Sequence, residues 1–222
     1  MTIDRRTLLV ATGAATALLA LPQQPAAAAP RTTPAAAARA RLWDAGRSDN
    51  GWFIDPDAVE SYRIEGSPAT VRLHADAAAV LLHVARRWHY EVMPLHAASD
   101  VLGHTTDRAV RTAYASNRLS GTALVLPGAG DGLWPHQTAI VRDILADCDG
   151  TVRWGLDLSP ATADHFQIDV KPDSRTLGGL TAAFGAGPAR HDAPHPGAPD
   201  DPATPERRKQ ARRLAQAQRG NG

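Results

Sequence analysis

The 222-residue chain has a single cysteine, Cys148, so it can close no disulfide within itself and can build no cysteine-based zinc cluster. Any bound metal has to be held by nitrogen and oxygen ligands. The chain also lacks a surplus of either charge, with 24 Lys and Arg against 23 Asp and Glu. That balance gives it little to offer a nucleic-acid backbone or an anionic membrane surface. No apolar run reaches the roughly 18 residues that a membrane-spanning helix needs. No Gly-x-Ser-x-Gly elbow marks a serine hydrolase. Gly128-Ala129-Gly130-Asp131-Gly132 lacks both the Lys-Ser/Thr pair and the spaced third glycine of a phosphate-cradling loop, and reads as an ordinary loop. Aromatic residues are scarce at 5%, yet a hydrophobic content of 43% suffices for one core, and the length is too short for two large ones.

What is present at the start reads as an export address. Asp4-Arg5-Arg6-Thr7 precedes an apolar run ending at Leu21, followed by Pro22 and small residues through Ala29. Residues 1–29 are therefore expected to be a cleavable signal peptide, and the paired arginines resemble the twin-arginine class, with an ordinary secretory signal as the alternative. Its removal takes away two Arg and one Asp, leaving 22 basic and 22 acidic residues. The expected mature chain works outside the cytoplasm, secreted or wall-associated, with no transmembrane segment. The export route and the Ala/Arg/Pro-rich composition point to a bacterium.

Residues 30–41 read as a tether and residues 42–185 as the folded domain. Val59–Ile64 and Thr70–Leu73 alternate apolar and polar residues around Gly66-Ser67-Pro68, the pattern of a hairpin. From Asp76, a candidate N-cap, Val80, Val84 and Trp88 recur at helical spacing up to Pro94. Tyr114–Leu126 reads as a strand, His136–Asp147 as a second helix, Val152–Trp154 and His165–Val170 as strands, and Leu177–Phe184 as a weaker helix. Residues 186–222 collapse into Pro, Ala, Gly, Asp and Arg and read as a disordered tail. A basic patch with the option of forming a helix lies near its end at Arg207-Arg208-Lys209, Arg212-Arg213 and Arg219. His83 and His89 read as exposed residues of the first helix, and His191 and His195 as part of the tail.

Three segments carry a resemblance. They are Ser116-Asn117-Arg118-Leu119-Ser120-Gly121-Thr122-Ala123-Leu124-Val125, then Val152-Arg153-Trp154-Gly155-Leu156-Asp157, then Asp164-His165-Phe166-Gln167-Ile168. In this order they resemble the motifs of the D-alanyl-D-alanine carboxypeptidase-type zinc peptidases, which cut peptidoglycan stem peptides. The family pattern is Ser-x-His-x-x-Gly-x-Ala-x-Asp, then Trp-Gly-Gly-Asp in many members, then an acid three positions before His-Phe/Trp. The resemblance covers residues 59–184. It implies an α+β fold of the hedgehog/DD-peptidase kind, a small mixed sheet with packed helices, and a zinc ion on two histidines and an aspartate that activates water for a general base.

At the positions that carry this chemistry the chain departs from the pattern. Arg118 stands at the first ligand position, Val125 at the second and Thr162 at the general-base position, so that only His165 remains. A guanidinium stays protonated and has no lone pair to offer a metal, and valine has no donor atom. The resemblance therefore implies a degenerate enzyme for which no cofactor is expected. Zinc would bind only if His136, Asp131, Asp157 or Asp164 supplied replacement ligands, and Asp164 is expected to face away from His165. Candidate residues of the old substrate cleft are Ser116, Arg118 and Asp157, with Arg108 or Arg111 as the arginine that grips a substrate carboxylate or else a plain surface residue. Asp157 is expected to shape its loop by accepting backbone N–H bonds. The expected function is binding of peptidoglycan stem peptides or another cell-wall component, with Arg118 placing a fixed charge where the cation sat. Two alternatives are an active zinc peptidase with rearranged ligands and a non-enzymatic wall-associated protein that binds through its basic tail. No nucleic-acid partner is expected.

Overall fold

The computed structural model describes residues 39–129, 132–185 and 205–220. The expected signal at 1–29, most of the tether, Gly130, Asp131, His191 and His195 lie outside the described residues. Strands β1 (Arg41–Leu42), β2 (Val59–Arg63), β3 (Thr70–His74), β4 (Ala109–Val110), β5 (Ala123–Val125), β6 (Val152–Trp154) and β7 (His165–Ile168) alternate with helices α1 (Ala75–Glu91), α2 (Pro135–Asp147), α3 (Arg175–Phe184) and α4 (Pro205–Gly220). This is an α+β arrangement. In place of one mixed sheet, the described strands form three small antiparallel sheets: β1 with β4, β2 with β3, and β5-β7-β6 with β7 in the centre.

The hairpin forms where the alternation predicts it, with Val59 opposite His74 and Arg63 opposite Thr70. Strand β3 runs directly into α1, so the N-cap is His74 and not Asp76. The His74 Nδ1 accepts the Asp76 backbone N–H at 3.2 Å, satisfying one of the donors that every helix start leaves open. Helix α1 buries Ala77, Val80, Leu81, Val84, Ala85 and Trp88 along one face. Trp88 meets Phe166 edge-on at 5.6 Å, and Phe166 stacks at 6.1 Å on Trp154 from the neighbouring strand. Only the end of the Tyr114–Leu126 segment is a strand. Its first part, Tyr114–Arg118, is a 3-10 turn, because Ser116 and Asn117 use their side chains to bind other segments.

The C-terminal segment corrects the sequence reading most. Residues 205–220 are a helix packed on α2, where residues 186–222 read as disordered. Pro205 opens the helix, its body is rich in strong helix formers, and Ala211, Leu214, Ala215 and Gln218 fall on one face. This stripe is too short and too polar to announce burial. Gln218 donates to the Val152 carbonyl at 2.7 Å, covering the outer edge of β6. Arg207 binds Asp143 at 2.9 Å and Asp147 at 2.6 Å, both on α2.

Those two aspartates also receive Arg87 of α1, at 3.1 Å from Asp143 and 2.6 Å from Asp147, while Arg87 holds Glu91 at 2.5 Å. The Arg87 side chain is 6% exposed and that of Asp143 is 3% exposed. His83 was expected to be exposed. Instead it stacks on Phe184 with ring centroids 3.9 Å apart and its Nε2 lies 3.3 Å from Asp147. His89, also expected on the surface, accepts the Leu95 backbone N–H at 2.8 Å.

Burial pushes the Asp147 carboxyl up. Hydrogen bonds from His83 and Arg207 and the charges of Arg87 and Arg207 outweigh this and hold it well below the usual carboxylate range. Removing Arg87 leaves Asp143 and Asp147 under-compensated. Arg87→Ala is expected to cost about 3–5 kcal/mol in urea unfolding at pH 7. A depressed carboxyl contributes stability above its unfolded value of about 4 and loses it as pH falls toward the folded value. The stability gap between the wild type and Asp147→Asn is therefore expected to shrink from pH 7 to pH 3, and a constant gap would contradict this assignment.

Candidate functional site

Strand β7 carries His165 and Gln167 on one face and Phe166 and Ile168 on the other, as a period of two requires. The apolar pair enters the core. The polar pair meets Asn117 of the Tyr114–Arg118 turn: Asn117 Nδ2 donates to Gln167 Oε1 at 2.9 Å, and the same oxygen lies 3.0 Å from His165 Nε2. Asn50 N donates to Asn117 Oδ1 at 3.0 Å. A backbone N–H can only donate, so this contact fixes the whole chain of polarity. Asn117 must present its NH2 to Gln167, Gln167 must present its oxygen, and His165 must carry its proton on Nε2. The lone pair of neutral His165 is thereby assigned to Nδ1. Sequence reading missed Asn50 and Gln167; the visible signals were the Asn50-Gly51 turn and the polar alternation of His165 and Gln167.

Gly121 of the first motif allows the turn to sit against β3. Its φ is +70°, and a Cβ there would lie 2.7 Å from the His74 backbone nitrogen. The chain then enters β5, which places Val125 opposite His165 in the antiparallel register. Arg118, at the end of the turn, is half-buried and donates from Nε to the Gly103 carbonyl at 2.8 Å. No acidic side chain pairs with it among the described residues. Burial lowers its pKa, yet a guanidinium remains charged at any physiological pH.

Two histidines feel that charge. Burial lowers the pKa of His104, with Arg72 and Arg118 acting in the same direction, and the His104 Nδ1 is buried without a hydrogen bond among the described residues. Burial also lowers the pKa of His165, against opposing pulls from Gln167 and Asp164 and with a further lowering from Arg118. Asp164 thus acts on His165 electrostatically, although its carboxylate is held by the Thr162 hydroxyl. The Tyr114 ring lies 4.8 Å from that of His165, and its hydroxyl donates to the Pro160 carbonyl at 3.0 Å.

The other expected residues are placed elsewhere. Ser116 is fully buried, accepting the Asp49 N–H at 2.9 Å and donating to the Ala113 carbonyl at 2.6 Å, so its hydroxyl is occupied. Asp157 binds Arg142 through both of its oxygens, and Arg219 of α4 lies 3.6 Å away. It anchors a helix arginine, where backbone N–H bonds were expected. Arg108 donates to the carbonyls of Trp43 and Ala45 at 3.0 and 3.2 Å, fastening the segment after β1. Arg111 and His136 are exposed.

Near His165 the chain places Val125, its partner across the strands, and Arg118 at the end of the preceding turn, and neither side chain can ligate a metal. Among the described residues no three His, Cys, Asp or Glu side chains converge to hold an ion. What the arrangement offers chemically is a fixed positive charge that acts on two imidazoles of lowered pKa, one of them with its accepting nitrogen assigned. Comparison with protein-family models, with curated proteins and with solved structures finds no match.

In long-range 1H–15N spectra His165 is expected as the Nε2–H tautomer, titrating below a solvent-exposed histidine. Arg118→Gln should move that titration upward and Asp164→Asn should move it further down. An Nδ1–H tautomer, or shifts of the opposite sign, would contradict the network.

Proposed function

We propose that this chain is a D-alanyl-D-alanine carboxypeptidase-like protein of the peptidoglycan metallopeptidase family that has exchanged catalysis for binding. In this reading it is exported through a twin-arginine-type signal and takes the carboxylate end of a cell-wall stem peptide at Arg118. The observation that carries the reading is the half-buried Arg118 guanidinium, oriented by its Nε bond to Gly103 and unpaired with any described acid. Burying part of a cation without a counter-ion is unfavourable, and a carboxylate ligand relieves that cost with charge-assisted hydrogen bonds. His165 is 3% exposed, and its accepting Nδ1 suits a peptide N–H and not the carboxylate, which is left to Arg118. Loss of the ligand residues at 118 and 125 and of the acid at 162 explains why such a protein would keep the frame of the motifs without the reaction.

Titration calorimetry tests this with a stem pentapeptide bearing a free C-terminal carboxylate and the same peptide amidated. The wild type is expected to bind the free acid about 10–100-fold more tightly, the range for one charged hydrogen-bonding group, and Arg118→Gln is expected to abolish the difference. Equal binding of acid and amide by the wild type, or binding of neither, would refute the proposal.

A further inference from the structure

Helix α4 concentrates the positive charge of the molecule. Pro205–Gly220 holds five arginines and one lysine against a single acid, Glu206. That is a net +5 in a chain of net +1, so everything outside α4 sums to −4. Four of these six cations serve two distinct uses, and Arg219 lies 3.6 Å from Asp157. Arg207 points into the protein, where Asp143 and Asp147 neutralise it and latch the helix to α2. Lys209, Arg212 and Arg213 are exposed and make no ion pair or side-chain hydrogen bond among the described residues.

Those three stand at i, i+3 and i+4 and therefore share one face. Lys209 and Arg213 also line a groove of about 410 Å³ against α2, whose walls include Ala146, Leu214 and the acids Asp149 and Glu206. Like charges at this spacing weaken a helix by a few tenths of a kcal/mol per pair. No ion pair among the described residues returns that cost, whereas the Arg207 latch returns the cost of its own charge.

We infer that the outer face of α4 is a docking surface for a flexible, single-chain polyol phosphate polymer. Charge complementarity sets the sign of the partner. The guanidinium fork matches carboxylate and phosphate alike, and the spacing of the charges chooses between them. Successive cations at i and i+4 are about 6 Å apart along the axis, a spacing closer to the six-bond repeat of a polyol phosphate than to the repeat of about 3.5 Å in an extended polypeptide bearing carboxylates. A bilayer fits less well. Ala211, Leu214 and Ala215 face α2, leaving α4 no apolar side to insert among lipids. This surface is independent of Arg118.

The test is binding of the full-length chain to poly(glycerol phosphate), compared with poly-L-glutamate, duplex DNA and phosphatidylglycerol vesicles at matched charge and fixed salt. The wild type should bind poly(glycerol phosphate) most tightly. The combined variant Lys209→Gln, Arg212→Gln and Arg213→Gln should bind about 10–100-fold more weakly, with the slope of log K against log salt smaller by about 2–3. Its helical circular dichroism and urea midpoint should match the wild type, because Arg207 and the buried stripe are intact. Arg118→Gln should leave polymer binding unchanged. Tighter binding to any of the other three probes, no binding by the wild type, or an unaffected triple variant would overturn the inference.

Discussion

The Asn117 carboxamide is the contact on which the arrangement of the site depends. Its oxygen is claimed by the Asn50 backbone N–H, and its NH2 is claimed by Gln167 on the central strand. A buried amide has to satisfy both ends or lose about 1–3 kcal/mol for each group left open, so the loop before β2, the turn at Tyr114–Arg118 and β7 can meet in only one way. The hydroxyls of Ser48, Ser120 and Thr122 extend the same knot, with successive oxygens 2.8 Å apart. Arg118 follows Asn117 directly, and His165 shares Gln167 with it. The position of the guanidinium and the tautomer of the imidazole are both consequences of this knot.

A second, ionic knot holds the outer layer. Two arginines from helices far apart in sequence converge on Asp143 and Asp147 of α2. Buried ion pairs add little net stability over apolar packing, but they are unforgiving of a missing partner. They are well suited to specifying where α4 lies, since its apolar stripe consists mainly of alanines. Through Gln218 and Arg219 the docked helix reaches the edge of β6 and the loop carrying Asp157. The two knots therefore brace the central sheet from different sides.

Much of the fold was legible because burial imposes a period. The β2–β3 hairpin, α1, α2, β6 and the start of β7 lie where alternation and helical spacing put them. Elements whose partners are polar were not legible. His83 looked like a surface residue because its partner Asp147 lies 64 positions away, and Tyr114–Arg118 looked like a strand because its side-chain bonds to the loop at 49–50 leave no local pattern. Within the candidate site, the arginine at 118, the valine at 125 and the threonine at 162 were plain from the sequence. The roles of Asn50, Gln167 and Arg142 were not, because a lone amide or arginine reads the same whether it is solvated or anchored.

The sequence by itself determined helices α1, α2 and α3, most strands, the lack of an internal disulfide and the presence of an arginine at 118 and a histidine at 165, since these follow from residue chemistry and short-range periodicity. Only the tertiary structure decided that Ser116 and Asp157 are internal fasteners, that His165 carries its proton on Nε2, and that the basic C-terminal segment is a docked helix with an inner and an outer charge face. Each of these depends on which donor meets which acceptor across long separations in the chain. Hydrogen bonds and ion pairs have no sequence period, and they become specific only when the core has brought their partners together.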